Sequence, residues 1–119
     1  MRPEDRDIAL LWDIREAARD IEEFIKKASY DQFVSQKTLR YAIERQMMVI
    51  GEAARRVSSD FKEAHPEIPW TSMVGQRNVL AHEYGEVLLE RVWFVATQQI
   101  SKLIQLLEPL IPPPPKTED

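Results

Sequence analysis

Apolar side chains recur at alternating steps of three and four residues along most of the chain, a spacing typical of helices that pack side by side. The first such stretch predicts a helix over about residues 5–28, and the second predicts a long helix over about residues 35–61. Ser35 or Asp31 is the candidate N-cap of this second helix, because a short polar side chain there can accept a bond from a free backbone N–H. Residues 29–34 are interpreted as a connection.

The second half of the chain predicts two further helices. A loop with two prolines precedes a helix expected over residues 71–82, which Thr71 or Ser72 would cap. Trp70 is expected to fill the core where this helix begins. The last helix is expected over residues 86–107 or two residues further. The pattern as a whole predicts an all-α fold, an up-and-down bundle of four main helices.

Two features of this pattern point to close packing. Gly51 lies in the middle of the second predicted helix, where glycine costs roughly 1 kcal/mol relative to alanine. The close approach of another backbone, either within the chain or across a dimer, would explain it. Residues 93–95 add apolar side chains on further faces of the last helix, and such a helix is either central or shared with a partner. This second feature favours a homodimer.

Composition narrows the class of protein. The length of 119 residues fits one domain, predicted as residues 1–111, and four consecutive prolines make residues 112–119 a predicted disordered tail. Cysteine is absent, which excludes disulfides and thiolate metal sites. No apolar stretch is long enough to span a bilayer, so we expect a cytoplasmic protein without a membrane partner. Without a Walker loop, a dinucleotide-binding glycine pattern or an E-x-x-H pair, we expect neither cofactor nor metal.

The charge distribution is uneven. The net charge of −4 argues against a general nucleic-acid coat, and we expect no DNA partner. Residues 37–62, however, hold six basic and three acidic side chains. If RNA binds, the predicted rim of its site consists of Lys37, Arg40, Arg45, Arg55 and Arg56. The alternative for any one of them is an ordinary solvated face residue.

Residues 75–85 concentrate the candidate chemistry, namely Arg77, Asn78, His82 and Tyr84. The planar fork of an arginine matches phosphate oxygens, and a histidine can transfer protons near neutral pH. Asn78 lies four residues before His82, so on a helix its amide could orient the imidazole. Arg77 and His82 are five residues apart, which places them about 140° apart around a helix. Either the helix ends between them, or the arginine reaches around it, or a second copy of the chain completes the site.

Each of these side chains also has a structural interpretation. An isolated histidine on a short helix is more often structural than catalytic. Arg77 and Asn78 could satisfy carbonyl groups at a helix end, and the ring of Tyr84 could pack there. The complete motif decides between the two interpretations.

The order R-N-x-x-x-H-x-Y resembles the motif of the HepT-like toxins, a branch of the HEPN all-helical ribonucleases. Residues 66–70, residues 73–78 and the Ile-Gly-Glu-Ala stretch at 50–53 are similar to that family as well, and the resemblance extends over about residues 5–111. It implies a HEPN-like bundle and a homodimer with a composite active-site cleft. It also implies a cognate nucleotidyltransferase as the antitoxin, which would attach AMP to Tyr84.

These observations predict a metal-independent endoribonuclease toxin of a type VII-like toxin–antitoxin pair. RNA, either tRNA or mRNA, would be cut through attack by its own 2′-hydroxyl. Arg77 would stabilise the phosphate, His82 would transfer protons, Asn78 would support His82, and AMP on Tyr84 would switch the enzyme off. The alternative is a non-catalytic helical module that binds a partner nucleotidyltransferase. A third hypothesis is a purely structural dimeric bundle.

Overall fold

The structure is a computed structural model that describes residues 3–82 and 85–113, with side chains throughout except at residues 3, 4, 77, 81, 82 and 86. Within these ranges the chain forms seven α-helices, one π-helical segment and one 3-10 turn. The elements are α1 (Pro3–Ile25), α2 (Tyr30–Ser35), α3 (Lys37–Arg56), α4 (Ser59–Ala64), α5 (Trp70–His82), α6 (Gly85–Phe94), the π-helical segment (Val95–Gln99), α7 (Ile100–Leu107) and the 3-10 turn (Glu108–Leu110).

The long helices enclose one hydrophobic core. Helix α3 packs against both α1 and α5, and α7 packs against α1. Burying one leucine or isoleucine side chain contributes about 1.5–3 kcal/mol to the free energy of unfolding. The packing of the helices is therefore stabilised mainly by their buried apolar side chains. The described residues contain no strand, and the predicted all-α fold is confirmed. The fully buried side chains include Leu11, Ile14, Ile21, Ile43 and Leu107.

The stretch predicted as a connection, residues 29–34, is instead mostly helix α2, so that prediction is wrong. A capping box starts the helix: the Ser29 hydroxyl accepts a hydrogen bond from Gln32 N at 3.1 Å, and Gln32 Oε1 accepts one from Ser29 N at 2.9 Å. Phe33 is fully buried and lies 5.3 Å from the Trp93 ring, centroid to centroid. Helix α2 therefore closes one end of the core.

The helix predicted over residues 35–61 is also divided in two, contrary to the prediction. Asp7, a buried carboxylate in α1, accepts hydrogen bonds from Ser58 N at 2.9 Å and from Ser58 Oγ at 2.6 Å. The same hydroxyl accepts a bond from Phe61 N at 3.2 Å and so caps α4. Because Asp7 holds Ser58 outside the helical ladder, α3 ends at Arg56 and a new helix begins.

The start of α3 differs from the prediction as well. Gln36 is its N-cap residue and makes no side-chain capping bond, so neither Ser35 nor Asp31 caps this helix. Gly51 is buried within α3 in the single chain. Its burial fits the alternative in which close packing occurs within the chain.

Helix α5 begins one residue earlier than predicted, at Trp70. Its indole is 8% exposed, which confirms that Trp70 fills the core at this point. Met73 N donates to Pro69 O at 3.0 Å, which is a helical hydrogen bond that spans Thr71 and Ser72. Thr71 and Ser72 lie inside the first turn, and the prediction that one of them caps the helix is wrong.

The last predicted helix is helical over its whole length but not regular. It starts at Gly85, whose φ of 64° lies in the left-handed region that favours glycine. A π-helical segment interrupts it, with Ile100 N donating to Val95 O. The Thr97 hydroxyl donates to Trp93 O at 2.7 Å, and such a bond competes with the regular backbone ladder.

Candidate functional site

Helix α5 carries the first three residues of the candidate motif. Its backbone is helical from Trp70 through His82, so the helix does not end between Arg77 and His82. The two positions are therefore about 140° apart around one helix. Two ways remain for both residues to act in one site: the long arginine reaches around the helix, or a second copy of the chain completes the site. The side chains of Arg77 and His82, and the whole of Tyr84, lie outside the described residues. Their roles stay predictions.

Asn78 is exposed and lines a cleft between α4 and α5. This α4–α5 cleft holds about 370 Å³ of solvent space, within the range of about 300–1,000 Å³ typical of ligand sites. Helical spacing places its α5 residues on one face, and residue 82 is the next position along the same row. The cleft is lined by Lys62, Trp70, Thr71, Val74, Gly75 and Asn78.

The walls of the α4–α5 cleft are fixed by an aromatic corner. The Phe61 ring lies 4.5 Å from the His65 ring and meets the Trp70 ring edge-on at 6.2 Å, measured between centroids. Trp70 Nε1 donates to His65 O at 2.9 Å, which satisfies the only polar atom of a buried indole. Because His65 also ends α4, this bond joins the end of α4 to the start of α5.

The predicted RNA rim lies on α3 and does not line this cleft. Lys37 is exposed at the start of α3. Arg45 and Arg56 line a groove between α1 and α3 that also contains Asp13 and Glu52. None of the five predicted rim residues lines the α4–α5 cleft. Lys62, which belongs to the basic segment over residues 37–62 but not to the predicted rim, does line the cleft.

Two of the rim arginines are engaged within the chain. Arg40 donates to Val34 O at 2.8 Å and lies 3.9 Å from the Glu44 carboxylate. Burial raises the pKa of Glu44, and the charge of Arg40 only partly opposes that effect. The hydrogen bond between Arg55 and Glu52, 2.8 Å long, raises the pKa of the arginine further. These contacts reduce the availability of Arg40 and Arg55 for a phosphate.

Two further properties bear on the class of site. No three His, Asp or Glu side chains within the described residues are grouped so that they could hold a metal ion. No helix in the described ranges is long and apolar enough to cross a membrane. The fold and the site define the class of protein: an all-helical bundle with an open cleft beside one motif helix.

Comparison with known proteins identifies the family. The family model described as "Ribonuclease HepT-like" matches residues 14–110, and the chain belongs to that family. A protein of Methanocaldococcus jannaschii named "Putative RNase MJ1380" is 39% identical over 104 residues, which cover 87% of this chain and 95% of the relative. "Probable ribonuclease HepT" of Thermococcus cleftensis is 38% identical over 93 residues, 78% of this chain and 84% of the relative. No match was found among solved structures.

Proposed function

We propose that this protein is an endoribonuclease toxin that cuts RNA without a metal ion and acts within a toxin–antitoxin pair. The observation that carries the proposal is the spacing R-N-x-x-x-H on an uninterrupted α5 in a member of the Ribonuclease HepT-like family. The names of the relatives support a ribonuclease. The roles of individual residues follow from their chemistry.

RNA supplies its own nucleophile for this reaction. His82 takes the proton from the 2′-hydroxyl, whose oxygen bonds to the adjacent phosphorus as the bond to the 5′-oxygen breaks. Arg77 stabilises the charge on the non-bridging phosphate oxygens. A second acid donates a proton to the leaving 5′-oxygen. The products are a 2′,3′-cyclic phosphate and a 5′-hydroxyl.

Base and acid are two roles, and each chain offers one histidine in the motif. Because α5 is continuous, Arg77 and His82 diverge by about 140° within one copy. A homodimer related by a two-fold axis supplies two histidines and two arginines to a shared cleft. We therefore infer a composite site at the interface between two copies, with Asn78 orienting His82.

The motif tyrosine provides a way to control such a site. A cognate nucleotidyltransferase would join AMP to the Tyr84 oxygen and release pyrophosphate from ATP. The added phosphate would pair with Arg77, and the nucleoside would block RNA. Mass spectrometry after incubation with that enzyme and ATP is expected to place the adduct on Tyr84, and an unmodified Tyr84 would contradict this step.

A second candidate function is a non-catalytic module that binds the nucleotidyltransferase. Val87 and Phe94 lie seven residues apart on one face of α6 and are 58% and 53% exposed. Together they give this face exposed apolar surface that a partner protein can cover. This function predicts that RNA stays intact.

The test is cleavage of total RNA and purified tRNA in EDTA, with the termini of the fragments mapped. We expect cleavage with 2′,3′-cyclic phosphate and 5′-hydroxyl ends. Cleavage that stops in EDTA would contradict the metal-independent mechanism, and intact RNA in both conditions would favour the binding module.

A further inference from the structure

The α4–α5 cleft differs in charge from four other grooves on the described residues. Among the described residues that line it, one is a cation, Lys62, and none is a carboxylate. The described lining of a groove between α3, α5 and α7 has no charged side chain. Three others mix both signs: Glu67 with Lys102, Glu22 and Glu23 with Arg19 and Lys26, and Asp13 and Glu52 with Arg45 and Arg56. The α4–α5 cleft is thus the groove among these five that suits an anion without opposing charge.

The ammonium group of Lys62 retains hydrogen-bonding capacity. Its Nζ lies 3.5 Å from Arg55 O, a long contact, and no carboxylate within the described parts of the chain forms an ion pair with it. An ammonium group has three donors, so two are left for a ligand even when this contact is made. The residue is half-buried, which limits the entropy lost when its charge meets an anion.

Gly75 provides an independent observation on the opposite wall. Glycine inside a helix costs roughly 1 kcal/mol relative to alanine. Gly85 has a positive φ, which favours glycine, whereas Gly75 does not. A Cβ built on Gly75 would meet nothing within 4 Å. Neither backbone conformation nor packing among the described residues requires glycine at position 75. The open space beside Gly75 lets a molecule from outside the chain come closer to the helix backbone than a residue with a side chain would allow.

The cleft leads along α5 towards the motif. Thr71, Gly75 and Asn78 follow one another at helical spacing, and position 82 lies about 6 Å beyond Asn78 along the helix axis. The side chains that line it offer a cation, a hydroxyl and an amide, beside the apolar surface of Val74 and Trp70. These groups match the phosphates and riboses of a nucleic-acid strand.

We infer that the α4–α5 cleft binds the sugar–phosphate backbone of single-stranded RNA and guides it to the motif on α5. Lys62 contacts a phosphate, and Gly75 lets the backbone of the strand come close to the helix. This inference rests on the proposed function and adds a substrate subsite to it. The Trp70 ring is only 8% exposed, so it offers no stacking platform, and the subsite reads the backbone rather than the bases.

The test measures binding separately from cleavage. The probe is a labelled single-stranded oligoribonucleotide whose 2′-hydroxyls are O-methylated, and fluorescence anisotropy in EDTA gives its Kd. We expect Lys62→Met to weaken binding about fivefold or more for every base sequence, since the lost contact is to phosphate. The slope of log K against log salt should fall by about 0.7, the value for one phosphate contact on a single strand.

The matched control is Lys102→Met, which removes an exposed lysine from the groove that contains Glu67. Its Kd should equal that of the wild type. Equal binding by Lys62→Met and the wild type would overturn the inference, and so would equal losses in both lysine variants. If the wild type cleaves RNA but Lys62→Met binds normally, only this inference fails. If the wild type neither binds nor cleaves RNA, the proposed function fails as well.

Gly75→Ala tests the other wall without removing charge. The added methyl group enters open space and favours the helix, so the variant should unfold at a higher urea concentration. It should also bind the probe more weakly, because the strand can no longer approach as closely. Unchanged binding would contradict the role of Gly75. Weaker binding together with a changed oligomeric state in sedimentation would assign Gly75 to a contact between copies and contradict it too.

Discussion

The two halves of α5 differ in how the chain uses them. The first half begins beside buried Ile68 and contains Trp70 and Met73, which are 8% and 5% exposed. From Val74 onward no described side chain of the helix is buried, and Asn78 is exposed. The first half ties the helix to the core, and no described side chain of the second half is fully buried. A helix divided in this way would hold the candidate motif on a rigid element.

Mutations in the two halves of α5 are expected to have different effects on stability and activity. Changes in the anchoring half should lower stability and reduce activity only as a consequence. Changes in the motif half should remove activity and leave stability nearly unchanged.

Trp70→Ala should give the largest loss of stability. It removes a buried aromatic ring together with its hydrogen bond to His65 O. Changes of this kind cost about 3–5 kcal/mol in the free energy of unfolding, which urea denaturation measures. Trp12→Ala is the control, since that ring is 47% exposed, and it should cost less than about 1 kcal/mol. Equal losses in the two variants would contradict the anchoring role of Trp70.

Ser58→Ala should have an intermediate effect. It removes the 2.6 Å bond to the buried Asp7 carboxylate and the cap of α4. The carboxylate would keep the bond from the backbone N–H, and the expected loss is about 1–3 kcal/mol. Ser59→Ala changes an exposed neighbouring serine and should be close to neutral. If both variants unfold at the same urea concentration, the link between α1 and α4 contributes nothing measurable.

Glu44→Gln should have the smallest effect, and it should depend on pH. Burial raises the folded-state pKa of Glu44 above its unfolded value, so the folded state binds the proton more tightly. The ionised carboxylate therefore costs stability, and this cost appears as pH rises from the unfolded pKa through the folded one. At pH 7 the variant should unfold at a slightly higher urea concentration than the wild type. Below the unfolded pKa the difference should vanish, and a difference that grew there would contradict the assignment.

The sequence pattern predicted most of the fold because long helices show their buried face as a period. It predicted α5 to within one residue and the burial of Trp70, since proline, tryptophan and the apolar spacing all mark the same boundary. It missed α2, although Ser29 and Gln32 have the spacing of a capping box. A capping box is a local signal for the start of a helix.

Other features depend on residues far apart in the sequence. The break between α3 and α4 needs Asp7 and Ser58, which are 51 positions apart. No local pattern contains such a pair. After this break Lys62 belongs to α4 and lines the cleft beside α5. The motif residues were identified from their order, and their catalytic roles stay predictions.

The most direct test of the division of α5 compares RNA cleavage and stability in the same variants. Cleavage of purified tRNA in EDTA is measured for the wild type, His82→Ala and Arg77→Ala, together with the urea midpoint of each. Loss of a proton-transfer group typically costs about 10²–10⁴-fold in rate, and loss of one group that stabilises transition-state charge costs about 10²–10³-fold. We therefore predict that cleavage falls by at least about 100-fold in each variant at an unchanged midpoint. Cleavage at the wild-type rate in either variant, or a loss of cleavage that follows a lowered midpoint, would contradict the account.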